Sequence, residues 1–279
     1  MSTFLVTGAA GTLGSLVCRK LMQQGHYVRA MDINECALAG MNFNPEKFTK
    51  IYGDISDYRR CYKALKGVDV LIHAAALKNI SVTETNSEDV IRVNVNGTQN
   101  LASAAIERGV KHAIFISSDK AVEPTTLYGS SKQVGEHIWK SASRIQNKTQ
   151  FTIIRSGNFW ESNGNFMEIW KQQKEKGLPI TITDMDMWRH FINAEEVADL
   201  VLDLNGITDP KYDKEPAINC YTFIPKMQEY NIFEIMLQMF GENQEFIVTG
   251  RRQGEKLHER LKMEDEIPVL HTNKFEVVR

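Results

Sequence analysis

The sequence predicts an α/β fold in which a doubly wound parallel sheet carries a smaller C-terminal lobe. Three features support this prediction. Short apolar runs alternate with longer amphipathic stretches through the first two-thirds of the 279 residues, a glycine-rich turn follows the first apolar run, and the alternation fades after Arg155. Apolar strands that alternate with helices are typical of a parallel sheet with helices on both faces.

The alternation divides this part of the chain into strands and helices. Each predicted strand is a short apolar run, and together they cover residues 3–7, 26–32, 50–54, 69–76, 112–117 and 151–156. Apolar residues recur at helical spacing in 12–24, 58–65, 88–108 and 127–145, which predicts helices there. Gly25 and Gly109 follow two of these helices, as glycine often does at a helix end.

The chain beyond Arg155 has a less regular pattern. It contains helix candidates at 166–176, 193–204 and 231–240, with short apolar runs between them. We expect the helix at 193–204 to return to the main sheet. The remainder is predicted to form a smaller lobe over one edge of the sheet.

Composition and charge exclude several classes of function. The net charge is −2 and the sequence has no basic run, so neither nucleic acid nor an anionic membrane surface is expected as a partner. The four cysteines are scattered without metal-type spacing, which predicts reduced thiols and no metal site. No signal peptide or membrane-spanning apolar window is evident, and we expect a cytoplasmic protein that forms a homo-oligomer.

The turn after the first predicted strand reads TGAAGTLG and places Gly8, Gly11 and Gly14 at the start of a helix. In a Rossmann-type fold, such glycines permit the tight turn, the approach of a pyrophosphate and close helix–strand packing. We therefore expect residues 1–157 to form a dinucleotide-binding domain, to which 189–205 returns. Residues 158–188 and 206–279 are predicted to form a substrate-binding lobe.

Two carboxylates end the next two predicted strands. Asp32 follows the glycine turn at a distance suited to the ribose hydroxyls of a dinucleotide, where it would repel a 2′-phosphate. This favours NAD, with NADP as the alternative; a solvated aspartate at a strand end would have no such role. Asp54 either meets the adenine, caps the following helix, or does both. The other candidate cofactor-binding residues are Thr12, Leu13, Ile55, Ala74, Ala75 and Ala76.

Tyr128 and Lys132 have the spacing YxxxK, which places both side chains on one face of a helix. A nearby ammonium favours the phenolate, so we expect Lys132 to lower the pKa of Tyr128. The lysine would also hold the nicotinamide ribose. Such a pair suits removal of a proton from a substrate hydroxyl during hydride transfer to a cofactor.

Asp119 and Lys120 lie in the same stretch, Ser117 to Lys132, which reads SSDKAVEPTTLYGSSK. Hydride transfer alone needs neither of them. An additional acid and base there would suit elimination of water at the neighbouring carbons. From the residue types alone, however, a surface ion pair of little energetic value is the better interpretation.

This stretch resembles the extended short-chain dehydrogenase/reductase superfamily and, within it, the polysaccharide-biosynthesis UDP-N-acetylglucosamine 4,6-dehydratases, especially their C5-inverting branch. The family pattern is Ser-(Ser/Thr)-Asp-Lys-Ala, a loop with a proline, and Leu-Tyr-Gly-x-(Ser/Thr)-Lys. Sugar epimerases of the superfamily have a longer gap before the tyrosine and lack the Asp-Lys pair. The resemblance thus implies that Asp119 and Lys120 are catalytic, together with Tyr128 and Lys132.

The resemblance extends over nearly the whole chain, through segments such as HAAALK, VNVNGTQN, RSGNF, LPITITDMDMWRHFI, FIPKM and RRQGEKLHE. It implies that Asn94 belongs to the cofactor site. It also implies a UDP-sugar as substrate, bound by five residues: Lys78, Asn158, Arg189, Arg252 and Glu255.

Several positions depart from the family pattern. Asp32 and Ile33 stand where the family often has serine and arginine, which favours NAD although many relatives use NADP. Most other departures lie in the predicted substrate-binding lobe or at its border, at Ser156, Trp160, Glu161, Trp188, His190 and Gln253. The identity of the sugar therefore rests on the resemblance alone.

Three hypotheses about function follow. The first is a nucleotide-sugar 4,6-dehydratase that converts a UDP-N-acetylhexosamine, with UDP-N-acetylglucosamine as the first choice, to a 4-keto-6-deoxy sugar. The second is an NAD-dependent nucleotide-sugar 4-epimerase or 4-reductase, in which Asp119 and Lys120 are structural. The third is a non-catalytic dinucleotide sensor, which is possible because a fold alone does not fix function. The intact Tyr128–Lys132 pair argues against it, since a sensor has no need of a proton carrier there.

Overall fold

The computed structural model describes residues 1–162, 165–204 and 220–279. The strands are β1 (Thr3–Thr7), β2 (Tyr27–Asp32), β3 (Phe48–Tyr52), β4 (Val70–His73), β5 (His112–Ser118), β6 (Gln150–Ser156), β7 (Asn158–Phe159), β8 (Ile180–Ile182), β9 (Trp188–Ile192), β10 (Cys220–Pro225), β11 (Gln228–Asn231), β12 (Phe246–Val248), β13 (Pro268–His271) and β14 (Phe275–Val278).

The α-helices alternate with the strands through most of the chain. They are α1 (Thr12–Gln23), α2 (Glu35–Gly40), α3 (Tyr58–Ala64), α4 (Ile80–Thr83), α5 (Ser87–Val90), α6 (Gly97–Arg108), α7 (Leu127–Arg144), α8 (Phe166–Glu175), α9 (Ala194–Leu204) and α10 (Ile232–Phe240). A π-helix, Ile91–Asn96, joins α5 to α6, and a 3₁₀ turn, Asp119–Ala121, follows β5.

The main sheet has nine strands in the order β13-β14-β10-β6-β5-β4-β1-β2-β3. The seven strands from β10 to β3 are parallel, and β14 and β13 continue the sheet in antiparallel orientation. Strand order reverses between β1 and β4. In such sheets, ligands bind outside the carboxyl ends of the strands at this reversal, so the topology places a site there.

Helices cover both faces of this sheet, as the alternating pattern predicts. On one face, α1 and α9 pack on the even-numbered side chains of β1, such as Phe4, and share one buried cluster with them. On the other face, α3, α6 and α7 pack around Leu5 and Leu71, and the fully buried Trp139 lies in this second cluster. The doubly wound α/β prediction is confirmed.

The smaller lobe has its own core and two small sheets. The small sheets have the orders β11-β9-β7 and β12-β8. Side chains from α8, β8, β9 and α10 form its buried cluster, which includes Trp170, Ile182, Phe191 and Met236. The predicted helices at 166–176 and 231–240 agree with α8 and α10 to within a residue.

The predicted boundary of the C-terminal lobe is wrong in one respect. Strands β10, β13 and β14 lie in the main sheet, whereas all of 206–279 was predicted to lie in the lobe. Strands β13 and β14 were missed because they join the sheet through antiparallel pairing, without the strand–helix alternation that marks β1 to β6. Positions 163–164 and 205–219 of the predicted ranges lie outside the described residues.

Two further differences concern local structure near the site. The third strand ends at Tyr52, so Gly53 and Asp54 follow it instead of belonging to it. The predicted helix at 88–108 is continuous but contains the π-helix in its middle. Within the described ranges, no helix combines the length and apolar character needed to cross a membrane.

Candidate active site

The glycine turn is built for close contact between backbone segments. Gly8 has a φ of +67°, and a Cβ there would lie 2.7 Å from the backbone nitrogen of Ala75, which follows β4. A Cβ on Gly14 would lie 2.1 Å from the carbonyl oxygen of Gly8. Gly11 directly precedes α1, whose first N–H groups therefore face the turn. This arrangement fits an anionic group such as a pyrophosphate.

A single cleft of about 1390 Å³ connects this turn with the smaller lobe. It lies at the carboxyl ends of the parallel strands, where the sheet topology places a site. Most predicted site residues line it: Gly8, Gly11, Thr12, Leu13, Gly14, Asp32, Asp54, Ile55, Ala74, Ala75, Ala76, Lys78, Lys120, Tyr128, Lys132, Asn158, Arg189, Arg252 and Glu255. Asn94 and Asp119 are buried behind its wall.

Asp32 ends β2 with its carboxylate fixed by the backbone. Oδ2 accepts the N–H of Ala10 and Oδ1 accepts the N–H of Asn34, each at 2.9 Å. Each carboxylate oxygen has a second acceptor position left for a ligand. The following residue, Ile33, is exposed and apolar, so it offers no charge to a phosphate.

Asp54 lies at the same end of the cleft and pairs with Arg92 at 2.7 Å. Its Oδ1 also accepts the N–H of Ser56 at 2.8 Å. Burial acts to raise the pKa of Asp54, but the hydrogen bonds from Ser56 and Arg92 outweigh it and lower the pKa. The alternative role as a cap of the next helix is wrong, because Asp57 caps α3.

Asn94, in the π-helix, holds the segment that follows β4. Its Oδ1 accepts the N–H of Leu77 at 2.8 Å, and its Nδ2 donates to the Leu77 carbonyl at 2.9 Å and to Ser131 Oγ at 3.0 Å. Both the oxygen and the nitrogen of the Asn94 amide are thus hydrogen-bonded within the protein. Asn94 therefore shapes the cleft wall from behind.

Tyr128 and Lys132 lie in the first turns of α7, which Thr126 caps by accepting the N–H of Gly129 at 3.1 Å. The ammonium of Lys132 is buried, donates to the carbonyl of Ile116 in β5, and lies 4.1 Å from the ring centre of Phe115. Burial lowers the pKa of Lys132 to about 7, although Glu136 acts in the opposite direction.

Burial raises the pKa of Tyr128 to about 12, and the charge of Asp119 adds to the rise, while a hydrogen bond with Ser118 opposes it. The expectation that Lys132 lowers this pKa is therefore wrong. Lys132 directs its Nζ at the Ile116 carbonyl and loses its own proton readily. The YxxxK spacing places the two residues on one helix but does not fix where Nζ points.

Asp119 and Lys120 form the 3₁₀ turn directly after β5. Lys120 Nζ lies 3.1 Å from Asp119 Oδ1, which also accepts a hydrogen bond from Ser118 Oγ at 2.9 Å. Asp119 is fully buried and its Oδ2 has no hydrogen-bond partner. A Cβ on Gly129 would lie 2.3 Å from the Lys120 carbonyl, so the glycine in LYGSSK lets the turn pack on α7. The pair is not on the surface.

The residues expected to bind substrate come from four parts of the chain: β7, β9, the segment after β4 and the segment between β12 and β13. Arg189 is 8% exposed, and its Nη1 donates to the carbonyls of Lys256 and Leu257 at 3.0 and 3.2 Å. Arg252 is exposed, and its backbone N–H donates to Glu255 Oε2 at 2.9 Å. Asn158 donates to the His190 carbonyl at 3.1 Å. Burial lowers the pKa of Lys78, with Glu168 acting in the opposite direction.

Two of the departures from the family pattern, both of them tryptophans, have local packing roles. Trp160 stacks on Phe191 with 4.1 Å between ring centres, inside the smaller lobe. Trp188 stacks on His258 at 6.1 Å. Both tryptophans therefore find aromatic partners.

Sequence reasoning missed three residues of this region. Ser118 lines the cleft and contacts both Asp119 and Tyr128. Arg92 pairs with Asp54. Glu259, the last residue of RRQGEKLHE, lines the cleft and is buried near Lys120. In the sequence, the one indication that Glu259 belongs to the site was its position at the end of that segment.

Comparison with known proteins gives a consistent group of relatives. The chain is 35% identical over 95% of its length to an uncharacterised membrane protein of Methanocaldococcus jannaschii, covering 81% of that protein. It is 30% identical over 91% of its length to a UDP-N-acetylglucosamine 4,6-dehydratase (inverting) of Campylobacter jejuni, covering 75% of it. It is also 30% identical over 95% of its length to a UDP-glucose 4-epimerase of Rickettsia rickettsii, covering 79% of it.

Solved structures share the fold. Pen from Bacillus thuringiensis superposes with a TM-score of 0.89 and 28% identity, with 99% of this chain and 89% of that chain covered. DesIV, a dTDP-glucose 4,6-dehydratase from Streptomyces venezuelae solved with NAD bound, superposes with a TM-score of 0.78 and 22% identity over 93% of this chain and 88% of that one. The chain spans 46% and 48% of the length of two other relatives.

The resemblance to the extended short-chain dehydrogenase/reductase superfamily is confirmed, and the chain groups with nucleotide-sugar dehydratases and epimerases. Residues 4–278 match one family along nearly the whole chain. The chain belongs to the family described as polysaccharide biosynthesis protein.

Proposed function

We propose that the protein is a nucleotide-sugar 4,6-dehydratase that acts on a UDP-N-acetylhexosamine, with UDP-N-acetylglucosamine as the first candidate, in the synthesis of a surface polysaccharide or glycan. One observation carries this proposal. The Asp119–Lys120 pair lies at the carboxyl end of β5, where Asp119 is fully buried and Lys120 lines the same cleft as Tyr128 and Lys132. An acid and a base beside a redox pair suit elimination better than redox chemistry alone.

The cofactor proposed for this site is NAD. The glycine turn and the start of α1 would hold the pyrophosphate, Asp32 the adenosine ribose, and Lys132 the nicotinamide ribose. Bound NAD supplies the acceptor and donor of hydride, together with a positive charge of the kind that lowers the pKa of a phenol. The carboxylate of Asp32 and the apolar Ile33 disfavour the 2′-phosphate of NADP.

The side chains then divide the proton transfers among them. Tyr128 takes the proton of the sugar O4 hydroxyl as C4 becomes a ketone. That ketone acidifies the C5–H bond, and Lys120 removes this proton. The electron pair forms the C5–C6 double bond while the C6–O6 bond breaks, and Asp119 in its acid form gives O6 the proton with which it leaves as water.

The product is a 4-keto-6-deoxy sugar once hydride has been added at C6 and a proton at C5. Protonation of C5 from the opposite face would invert that centre, as in the branch that the sequence resembles. Arg189, Arg252, Lys78, Asn158 and Glu255 are proposed to hold the UDP-sugar. Guanidinium groups suit the diphosphate because their planar fork pairs with two oxygens.

Incubation with NAD and UDP-N-acetylglucosamine in deuterated water, followed by proton NMR, tests this function. A new C6 methyl signal with deuterium at C5 is the expected result. Conversion without a C6 methyl signal would favour the 4-epimerase or 4-reductase, a function supported by the Rickettsia rickettsii relative. No conversion of this sugar or of other UDP-hexosamines would contradict both enzymatic hypotheses.

A further inference from the structure

Glu259 is a buried carboxylate of the cleft to which the proposed reaction assigns no role. The residue is 7% exposed, and its Oε2 has no hydrogen-bond partner. It nevertheless lines the cleft, on the side of Lys120. A buried carboxylate oxygen without a hydrogen-bond partner is costly, which suggests that Glu259 has a function in the site.

Four charged side chains of alternating sign form a row at this point. Lys120 Nζ lies 3.1 Å from Asp119 Oδ1 and 4.0 Å from Glu259 Oε1, and Glu259 Oε2 lies 3.5 Å from Lys256 Nζ. Lys256 also donates to the carbonyl of Val122 at 2.8 Å, which fixes the far end of the row. Once Lys120 has taken a proton and Asp119 has given one, each charge in the row has an opposite neighbour and the row is neutral.

We propose that Glu259 is a positioning residue for Lys120: it directs the amine of Lys120 into the cleft and stabilises the ammonium that forms when Lys120 takes the C5 proton. This inference rests on the proposed dehydratase function. In the elimination, a proton moves from C5 to Lys120 while Asp119 gives one to O6, so positive charge develops on Lys120. A fixed negative charge beside it, already in place, stabilises that change.

The position of Glu259 in the chain adds a second element to this role. It lies at the end of the segment 251–259, which also carries Arg252 and Glu255. This segment is attached to the catalytic stretch, since Thr125 Oγ1 donates to the Gly254 carbonyl at 2.6 Å and a Cβ on Gly254 would lie 2.3 Å from the Thr125 carbonyl. The segment 251–259, which is proposed to hold the UDP-sugar, thus also positions Lys120, the base that acts on the sugar.

The variants Glu259→Gln and Glu259→Asp test this role, with Glu264→Gln as the matched control. Glu264 is 87% exposed and pairs only with Arg260, at 3.5 Å, among the described contacts. For Glu259→Gln, we expect kcat for the C6 methyl product to fall roughly 10- to 100-fold, less than the loss of a general base itself would cause. The KM and the rate of C4 oxidation should change less than threefold.

The pH profile of kcat distinguishes positioning from a purely structural role, because a purely structural Glu259 would leave this profile unchanged on substitution. The titratable groups around Lys120 are Asp119, Glu259, Lys256 and Tyr128. Because Glu259→Gln removes a negative charge beside the proposed base, the acidic limb of the profile should differ from that of wild type. Glu259→Asp keeps the charge and should restore the limb and at least part of the rate.

Each outcome decides one question. If wild-type protein forms the C6 methyl product and Glu259→Gln matches it in kcat and pH profile, Glu259 has no part in positioning Lys120. The inference also fails if Glu259→Gln slows C4 oxidation and elimination equally, or if the Asp variant restores nothing while its thermal unfolding matches that of wild type. Absence of the C6 methyl product from wild type itself would overturn the proposed function, and this inference with it.

Discussion

The guanidinium of Arg155, at the end of β6, lies 2.6 Å from the carboxylate of Glu136 in α7, and both side chains are buried. Arg155 also pairs with Glu266 at 2.7 Å and donates to the Leu261 carbonyl at 2.9 Å. Glu136 in turn accepts a hydrogen bond from Ser117 Oγ at 2.6 Å. This network joins the strand before the catalytic turn to the segment that follows Glu259.

Arg155→Met should strongly destabilise the protein, because two carboxylates would remain buried without their partner. Breaking a buried pair in this way typically costs about 3–5 kcal/mol. Urea unfolding followed by circular dichroism measures the change. Lys274→Met, at an exposed pair with Asp203, should change the unfolding free energy by less than about 0.5 kcal/mol. A loss below about 1 kcal/mol for Arg155→Met would contradict this account.

Lys132 should make stability depend on pH. Its pKa of about 7 in the folded protein lies below the ordinary value of 10.5, so the folded state binds fewer protons than the unfolded state between these values. The unfolding free energy should therefore rise as the pH increases through this window. In Lys132→Met, the rise between pH 7 and pH 10 should be smaller by on the order of 1–3 kcal/mol.

Urea unfolding of cofactor-stripped protein at several pH values would measure this slope. Lys148→Met, at an exposed position, serves as the control and should keep the wild-type slope. Parallel curves for wild type and Lys132→Met would show that Lys132 is not held with a lowered pKa.

Variants of the catalytic stretch should separate oxidation from elimination. Lys120→Ala should still oxidise C4 and then stop, so that NADH absorbance rises without a C6 methyl product. Asp119→Asn should slow loss of the O6 hydroxyl in the same way, by roughly a hundred- to ten-thousand-fold. Tyr128→Phe should suppress the oxidation itself. Turnover of Lys120→Ala at the wild-type rate would make the Asp119–Lys120 pair structural.

Asp32 should select NAD over NADP. Titration calorimetry with cofactor-stripped protein is expected to show tighter binding of NAD, and Asp32→Ala should reduce that preference by at least tenfold. Glu35→Ala, at an exposed position nearby, is the control and should keep the preference. A wild-type preference for NADP would remove the role assigned to Asp32.

The parts of the fold that the sequence predicted well are local. The turn from Gly8 to Gly14 and the alternation of β1 to β6 with helices depend on residues close together in the chain. Strand β14 could not be found in this way, because it is only four residues long and gains its place by antiparallel pairing with β10. The hydrophobic pattern of such a short apolar run is too short to show the periodicity that identifies a strand or a helix.

The same distinction holds for the site. Asp119, Lys120, Tyr128 and Lys132 fall within one stretch, whose spacing marked them. Glu259 reaches Lys120 from 139 positions further along the chain, a contact that the fold alone creates. The pKa of Tyr128 was predicted with the wrong sign because it depends on burial and on the direction of one flexible side chain.

The π-helix Ile91–Asn96 makes this part of the chain tolerant of one change of length. A π-bulge holds one residue more than the corresponding α-helical turn, so deletion of one residue within it would allow the helix to close as an ordinary α-helix. The segments before and after the bulge would then keep nearly the same relative orientation, whereas a deletion within a regular α-helix rotates them by about 100°. Val90, which is fully buried, would therefore stay in the core. A single-residue deletion is thus predicted to be better tolerated in this π-helix than in the regular helix α6 that follows it.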